Sequence, residues 1–97
     1  MKSTMIKETT IRENEIKDNE ATYRYTLTMN ESRRVASYRI PLYSIFVEMT
    51  KHTGERTEAA AKDIFADLGK AVVFFDKIVQ NKATPLNLYY IIEDELK

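Results

Sequence analysis

Residues 21–29, Ala-Thr-Tyr-Arg-Tyr-Thr-Leu-Thr-Met, decide the fold class of this chain. Apolar residues occupy every odd position and polar residues every even one, which is the period of a β-strand with one buried face. Tyr23, Tyr25 and Leu27 belong to the apolar set, and the polar set consists of arginine and threonine. The stretch therefore predicts a central strand whose tyrosines and leucine turn towards a core.

A second strand is predicted over residues 35–40, after a two-residue loop at Glu31 and Ser32. That loop fixes the pairing of the hairpin, because a change of one residue would turn every side chain to the other face. The resulting register places Tyr25 opposite Tyr38, and aromatic cross-strand pairs of this kind stabilise a sheet. We therefore expect a tight hairpin at the centre of the sheet.

The strands around this hairpin are less regular in sequence. Residues 5–16 predict a first strand that ends in a turn at residues 17–20. Because Pro41 cannot donate to a strand ladder, residues 42–49 form either an edge continuation or a bulged, redirected strand. Residues 56–63 carry three alanines that favour a helix, but a short strand returning to the sheet stays open.

Two helices are predicted at the carboxyl end, over about 67–82 and 85–96. The first has apolar residues at helical spacing, with Asp67 in its first turn: Leu68, Ala71, Val72, Phe75, Ile78 and Val79. Thr84 followed by Pro85 is a strong helix start. The second helix carries one apolar stripe: Leu88, Tyr89, Ile92 and Leu96. The sequence thus predicts an α+β domain, a meander of three or four antiparallel strands with both helices on one face.

Composition sets further bounds. A chain of 97 residues forms one domain, residues 1–97, because small domains need most of their apolar residues in one core. It has no cysteine, fifteen basic and fifteen acidic residues, and no apolar run long enough for a signal peptide or a membrane span. We expect a cytoplasmic protein, no membrane association, and no overall field that attracts nucleic acid.

The order of these signals resembles a known family. A Tyr-x-Tyr-x-Leu strand, a Ser-Tyr-x-Ile strand, an amphipathic helix and a closing Thr-Pro-x-x-Leu-x-x-Ile-x-Glu-Asp helix occur here at residues 23–27, 37–40, 68–82 and 84–94. The chain is similar to a clostridial, Firmicutes family of short domains of unknown function. The resemblance implies a bacterial, cytosolic, compact domain and brings no reaction, cofactor or catalytic residue.

The residues give little support to catalysis. His52 is the one histidine in the sequence, beside a turn, so it is interpreted as an exposed turn residue with general base as the alternative. Gly54 and Gly69 are isolated, which excludes the glycine-rich phosphate loops. We expect a protein that is not an enzyme, with no cofactor and no metal site.

A pair of arginines is the sharpest candidate for a ligand site. The predicted register puts Arg24 opposite Arg39, and like charges so placed destabilise a sheet unless an anion neutralises them. The candidate residues for binding a small anion or acidic ligand are Arg24, Thr26, Ser37 and Arg39. The alternative is internal neutralisation by Glu13 or Glu15 from the first strand.

Excess apolar surface on the helices suggests a protein interface. The candidate interface residues are Phe74, Leu86, Tyr90, Glu93 and Asp94. The alternatives are that the amino-terminal segment covers the apolar residues and that the acids form a solvated helix end. We predict a small non-catalytic protein-binding or regulatory domain with a protein partner or self-association. The other hypotheses are an anion-binding module and a mobile-element accessory protein that inhibits a host factor, whereas nucleic-acid binding is not expected.

Overall fold

A computed structural model describes residues 8–35 and 38–95. In these residues four strands precede two helices: β1 Glu8–Lys17, β2 Ala21–Val35, β3 Tyr38–Lys51, β4 Arg56–Phe65, α1 Leu68–Gln80 and α2 Pro85–Glu95. The strands form one antiparallel sheet in the order β1-β2-β3-β4. The predicted α+β class, with a meander sheet followed by two helices, is confirmed.

The alternation in β2 separates a buried face of the sheet from a solvated one. Tyr25 and Leu27 are fully buried and Tyr23 is nearly so, whereas Arg24 is exposed. We call the face that carries Tyr25 the inner face and the face that carries Arg24 the outer face. Because directly opposite residues share a face, the pairing of Tyr25 with Val47 extends the buried inner face into β3.

The predicted hairpin loop at Glu31 and Ser32 is wrong. β2 continues to Val35, which pairs with Tyr38. The register shifts so that Glu31 and Ser32 together lie opposite the single residue Pro41. Proline has no N–H to donate to the neighbouring strand, so a bulge forms at this point and the hairpin continues beyond it.

The longer hairpin replaces the predicted partners of β2. Tyr25 lies opposite Val47 rather than Tyr38. This register pairs the apolar residues of β2 with the alternating apolar residues of 43–49, which a tight hairpin would have left without this partner strand. Neither interpretation of residues 42–49 is correct, because they belong to β3, an inner strand paired on both sides, and the bulge lies in β2 at Glu31 and Ser32, opposite Pro41.

Residues 56–63, for which strand and helix were both open, belong to β4. Ala59 and Ala61 are buried on the inner face, and Ala60 is half-buried on the outer face. Pairing with β3 and contact with α2 outweigh the intrinsic helix propensity of the alanines.

A second irregularity places residues 62–64 of β4 opposite Ser44. Asp63 at its centre has a φ of 55°, a left-handed conformation that aspartate tolerates better than most residues. Its N–H donates to the Ser44 hydroxyl at 2.8 Å, and its carboxylate accepts from the Asn30 amide at 3.0 Å. Since Ser44 and Asn30 are buried, these bonds satisfy polar atoms that water does not reach.

Both helices cover the inner face. The buried helix residues join the strand residues in one apolar cluster: Ala71, Phe74, Phe75, Ile78 and Leu88. Each helix begins and ends within two residues of its predicted bounds, and Asp67 is the N-cap of α1, where its carboxylate accepts the N–H of Lys70 at 3.4 Å. Over the described residues, no helix has the length and apolar character needed to cross a membrane.

Candidate functional site

The helix α2 begins with a capping box. The Thr84 hydroxyl accepts the N–H of Asn87 at 3.1 Å, and the side-chain oxygen of Asn87 accepts the N–H of Thr84 at 3.3 Å. Pro85 occupies the first helical position and has no N–H that would need a partner. The predicted Thr-Pro start is confirmed, and the reciprocal bonds fix where the helix begins.

The loop before α2 is bound to the sheet at two points. Lys82 Nζ lies 2.7 Å from Asp18 Oδ2 in the turn between β1 and β2, and the Tyr25 hydroxyl donates to the Ala83 carbonyl at 2.8 Å. The bond from Lys82, together with N–H groups of the turn, lowers the pKa of Asp18 to about 2. Burial raises the pKa of Tyr25 to about 12. These contacts fix the orientation of α2 on the sheet.

One side of α2 faces the sheet and the other faces solvent. Leu88 is fully buried, whereas three large side chains are exposed over most of their surface: Leu86 at 63%, Tyr89 at 55% and Tyr90 at 61%. Spacings of three and four residues place these side chains on one helix face. We call Leu86, Tyr89 and Tyr90 the α2 stripe.

The predicted apolar stripe of this helix groups Tyr89 with Leu88, but only Leu88 is buried. Successive residues of a helix point about 100° apart, so only one of Leu88 and Tyr89 can point into the centre of the core. Leu88 takes that position, and Tyr89 lies where α2 packs against the edge strand β4.

A groove of about 520 Å³ on the outer face meets the α2 stripe at Tyr89. Phe46 and Ala60, which are cross-strand partners and half-buried, contribute to its apolar lining. Charged side chains also line the groove: Arg24, Glu48, Glu58 and Lys62. Because residue 60 is small, the groove has room for an apolar side chain between Phe46 and Tyr89. The stripe and the groove thus form one continuous surface.

The carboxyl end of α2 is acidic. Glu93, Asp94 and Glu95 are exposed, and the last turn has no basic residue. Lys77 of α1 lies 3.7 Å from Glu95, an exposed ion pair of small energetic weight. Glu93 stands three residues after Tyr90, so its carboxylate continues the α2 stripe.

Comparison with known protein families assigns the chain. The model of a family of unknown function matches residues 4–97. The chain belongs to the family of unknown function DUF6514. No curated protein and no solved structure matches it. Membership in DUF6514 therefore brings no activity, ligand or partner to this chain, and its own surfaces carry the functional argument.

Of the interface residues predicted for this DUF6514 chain, Phe74 is not available to a partner. Its side chain is only 2% exposed, and its ring packs edge-on against Phe65 at 5.3 Å between centroids. β4 extends as far as Phe65, so the sheet covers a helix position that is not among the apolar residues predicted to face it. The other predicted residues, Leu86, Tyr90, Glu93 and Asp94, are exposed, and their contact with a partner stays a prediction.

The predicted pairing of Arg24 with Arg39 is wrong. The backbone of Arg39 pairs with Arg34 near the end of the hairpin, whereas Arg24 pairs with Glu48. The cause is the longer hairpin, which shifts every position of β3 relative to β2. Ser37, the other β3-side residue of that hypothesis, lies outside the described residues.

The outer face of this DUF6514 chain neutralises Arg24 internally, which was the alternative to an anion site. A guanidinium nitrogen of Arg24 lies 3.2 Å from Glu15 Oε2 on β1. Arg56 contacts Glu48 and also lies 3.7 Å from Glu58. Glu15, Arg24 and Glu48 are cross-strand neighbours and Arg56 contacts both Glu48 and Glu58, so the described charges of this face form an ion-pair network.

His52 lies exposed in the turn after β3, as predicted. Its Nε2 is 3.2 Å from the Asp18 carbonyl oxygen, so the ring links two neighbouring turns of the sheet. Within residues 8–35 and 38–95, no three side chains of the metal-ligating types gather into a group.

The groove was missed at the sequence level, although one signal was present. Among the even positions 44–50, which face away from the core, Phe46 stands between Ser44 and the polar residues Glu48 and Thr50. An aromatic residue on an otherwise polar face indicates a contact surface. Tyr89 could not be added to it without knowing that α2 lies at the β4 edge.

Proposed function

We propose that this DUF6514 chain is a non-catalytic protein-interaction domain that binds its partner through the α2 stripe. The observation that carries the proposal is the exposure of Leu86, Tyr89 and Tyr90, each by more than half, on one face of one helix. A small domain needs its apolar side chains for its own core, so three large ones left together in solvent have a cost that a partner removes. Tyrosine is also enriched at protein interfaces.

The amino-terminal strand does not cover the α2 stripe. β1 pairs with β2 at the opposite edge of the sheet from β4, the strand that α2 contacts. Among the described elements, none lies across the exposed side of α2, and this supports the interpretation that a second molecule covers it.

A nucleic-acid platform has less support than a protein partner. Phe46 and Arg24 share the outer face. Proteins that bind single-stranded nucleic acids combine aromatic and basic side chains in this way. The same face carries several carboxylates, among them Glu13, Glu15, Glu48 and Glu58. These repel phosphates, and the chain has no net charge to compensate for them.

The proposal includes a bacterial, cytosolic setting, which follows from the resemblance of the closing helix to a clostridial family. A mobile-element accessory protein that inhibits a host factor is one form of such an interaction domain, because an inhibitor of this kind also binds through its surface and catalyses no reaction. In either form, the same residues of α2 contact the partner.

The test is site-specific photo-crosslinking followed by reconstitution. A photoreactive residue at Tyr90 is compared with one at Val73, which is 70% exposed on α1 and outside the stripe. Both proteins are produced in the native bacterium, and a protein captured from position 90 but not from 73 is purified. Its affinity is then measured for the unmodified chain and for Leu86→Ser, Tyr90→Ser and Val73→Ser.

Each α2 variant is expected to weaken binding about tenfold or more, since an interface tyrosine or leucine anchor contributes at least about 1.4 kcal/mol. Val73→Ser is expected to bind normally. All three variants retain the stability of the unmodified chain within about 0.5 kcal/mol, because the replaced side chains are already exposed. Equal affinity of all variants for the captured protein contradicts the proposal.

A further inference from the structure

We propose that the partner presents an amphipathic helix with lysine or arginine beside its apolar side. This inference rests on the proposed function and specifies the chemistry of the partner. Glu93 stands seven residues after Leu86 and three after Tyr90, so a carboxylate continues the row of apolar side chains. A ligand that follows the α2 stripe therefore meets negative charge at its end.

Glu93 is unfavourably placed near the end of α2 in the isolated chain. The free carbonyl groups at the end of a helix attract cations and repel carboxylates, and the last turn of α2 has no basic residue. Lys77 pairs with Glu95, but within the described part of the chain Glu93 has no cationic partner. A cation supplied by another molecule relieves this repulsion, which gives the charge complementarity that assigns the partner.

The geometry of the surface favours a helix over an added strand. Residues spaced by three and four on α2 form a ridge of the kind that packs into the groove of another helix. An added strand would need a free sheet edge, and at β4 it would meet Tyr89 of α2, which reaches the outer-face groove beside that strand. On the opposite edge, β1 turns the charged side chain of Arg12 to the inner face, 3.6 Å from Asp76, and inward-pointing charges discourage strand addition.

The groove supplies the area that the stripe lacks. α2 has 11 residues and is roughly 16 Å long, whereas a stable interface uses about twenty residues on each side. A partner helix lying along α2 passes the groove at Tyr89. An apolar side chain from that helix fits between Tyr89 and Phe46, over Ala60, and this contact completes the surface.

The test uses two synthetic peptides of about 18 residues, long enough to be helical. Both carry leucine at helical spacing, and the remaining positions are mainly lysine in one peptide and glutamate in the other. We expect the lysine peptide to bind the chain at least about tenfold more tightly, and its affinity to fall as salt is added. Glu93→Lys is expected to reduce that preference several-fold. The matched control is Glu8→Lys, an exposed acid at the start of β1 that does not line the groove, and this variant is expected to retain the preference.

A second variant examines the groove without changing any charge. Ala60→Leu fills the space between Phe46 and Tyr89 and is expected to weaken binding of the lysine peptide several-fold. The same affinity for both peptides, or the same preference in Glu93→Lys and the unmodified chain, would overturn the inference. A dimer in light scattering that Tyr90→Ser dissociates would also overturn it, because the occupant would then be a second copy. The two proposals can fail separately. If the peptides show no preference but Tyr90→Ser still weakens binding of the crosslinked protein, the proposed function stands and the basic-helix inference is wrong.

Discussion

Lys82 Nζ lies 2.7 Å from Asp18 Oδ2, so the loop before α2 is bound to the first turn of the sheet by an ion pair that spans most of the chain. The other carboxylate oxygen of Asp18 accepts the N–H groups of Glu20 and Ala21 at 2.8 and 2.9 Å. One side chain therefore shapes the turn and also positions the helix that carries the candidate interaction surface.

Asp18→Asn is expected to make stability less dependent on acid. The pKa of Asp18 falls from its ordinary 3.8 to about 2 in the folded chain, so the unfolded chain takes up its proton first as the pH falls. The contribution of the carboxylate is complete above about pH 4 and is lost as the pH approaches 2. Asparagine retains an acceptor for the turn but has no charge for Lys82.

Urea unfolding of the unmodified chain and of Asp18→Asn at several pH values between 7 and 2 measures how the difference in their stability depends on pH. The unmodified chain is expected to be the more stable at neutral pH, and the difference is expected to shrink through the acid range. A difference that stays constant down to pH 2 would show that the ion pair does not stabilise the fold.

Lys82→Gly is expected to be more stable than Lys82→Ala by about 1 kcal/mol. Lys82 has a φ of 49°, in the left-handed region, and its N–H donates to the Val79 carbonyl at 3.0 Å while that of Ala83 donates to Ile78 at 3.1 Å. This is the Schellman arrangement, in which glycine has no steric cost. Both variants lose the ion pair, so the difference between their free energies of chemical unfolding measures the backbone effect at residue 82 alone. Equal stability of the glycine and alanine variants would show that the left-handed backbone at residue 82 is not strained.

Tyr25→Phe is expected to cost about 1–2 kcal/mol, because the Ala83 carbonyl loses its buried hydroxyl donor. The variant also changes the response to alkali. Burial raises the pKa of Tyr25 to about 12 from 10.0, so the unfolded chain releases this proton first, and the unmodified chain loses stability as the pH rises from 10 towards 12. Unfolding followed at neutral and alkaline pH is expected to show the gap narrowing. A gap that widens in alkali would contradict the assignment.

The start of β2 and the positions of both helices followed from local patterns. Alternation in β2 and the Thr84-Pro85 start of α2 each act within a few residues, so the sequence contained enough information to place them. The register of the central hairpin did not follow, because Glu31 and Ser32 resemble a turn in isolation. Only the long pairing with β3 makes them a bulge opposite Pro41.

The residues of the candidate surface also include some that the sequence could identify and some that it could not. Leu86 and Tyr90 were recognisable because a helical wheel places them away from the buried side. Tyr89 and Phe46 were not, since they meet only after α2 packs at the edge of the sheet. The prediction that Phe74 belongs to the interface was wrong for the corresponding reason, because its burial depends on Phe65 at the far end of β4.

Phe74→Ala is expected to destabilise the chain by about 3–5 kcal/mol, the cost of a cavity where a buried aromatic ring was. The neighbouring Val73→Ala changes a side chain that is 70% exposed and is expected to stay within about 0.5 kcal/mol of the unmodified protein. Thermal or urea unfolding of the two variants distinguishes a core position from a surface position. Similar small effects of both would return Phe74 to the set of interface residues.

Thr84→Ala is expected to cost about 1 kcal/mol of stability and to loosen the first turn of α2. The hydroxyl is the acceptor for the Asn87 N–H at 3.1 Å, and Leu86 of the α2 stripe lies within that turn. Thr84→Ser retains the acceptor and is the matched control. Hydrogen exchange at the amide of Asn87 reports the loss directly: it is expected to speed up in the alanine variant and to stay near normal in the serine variant. If alanine and serine behave alike, the capping box does not hold the start of α2, and the orientation of the stripe must come from the bonds of Asp18 and Tyr25 to the preceding loop.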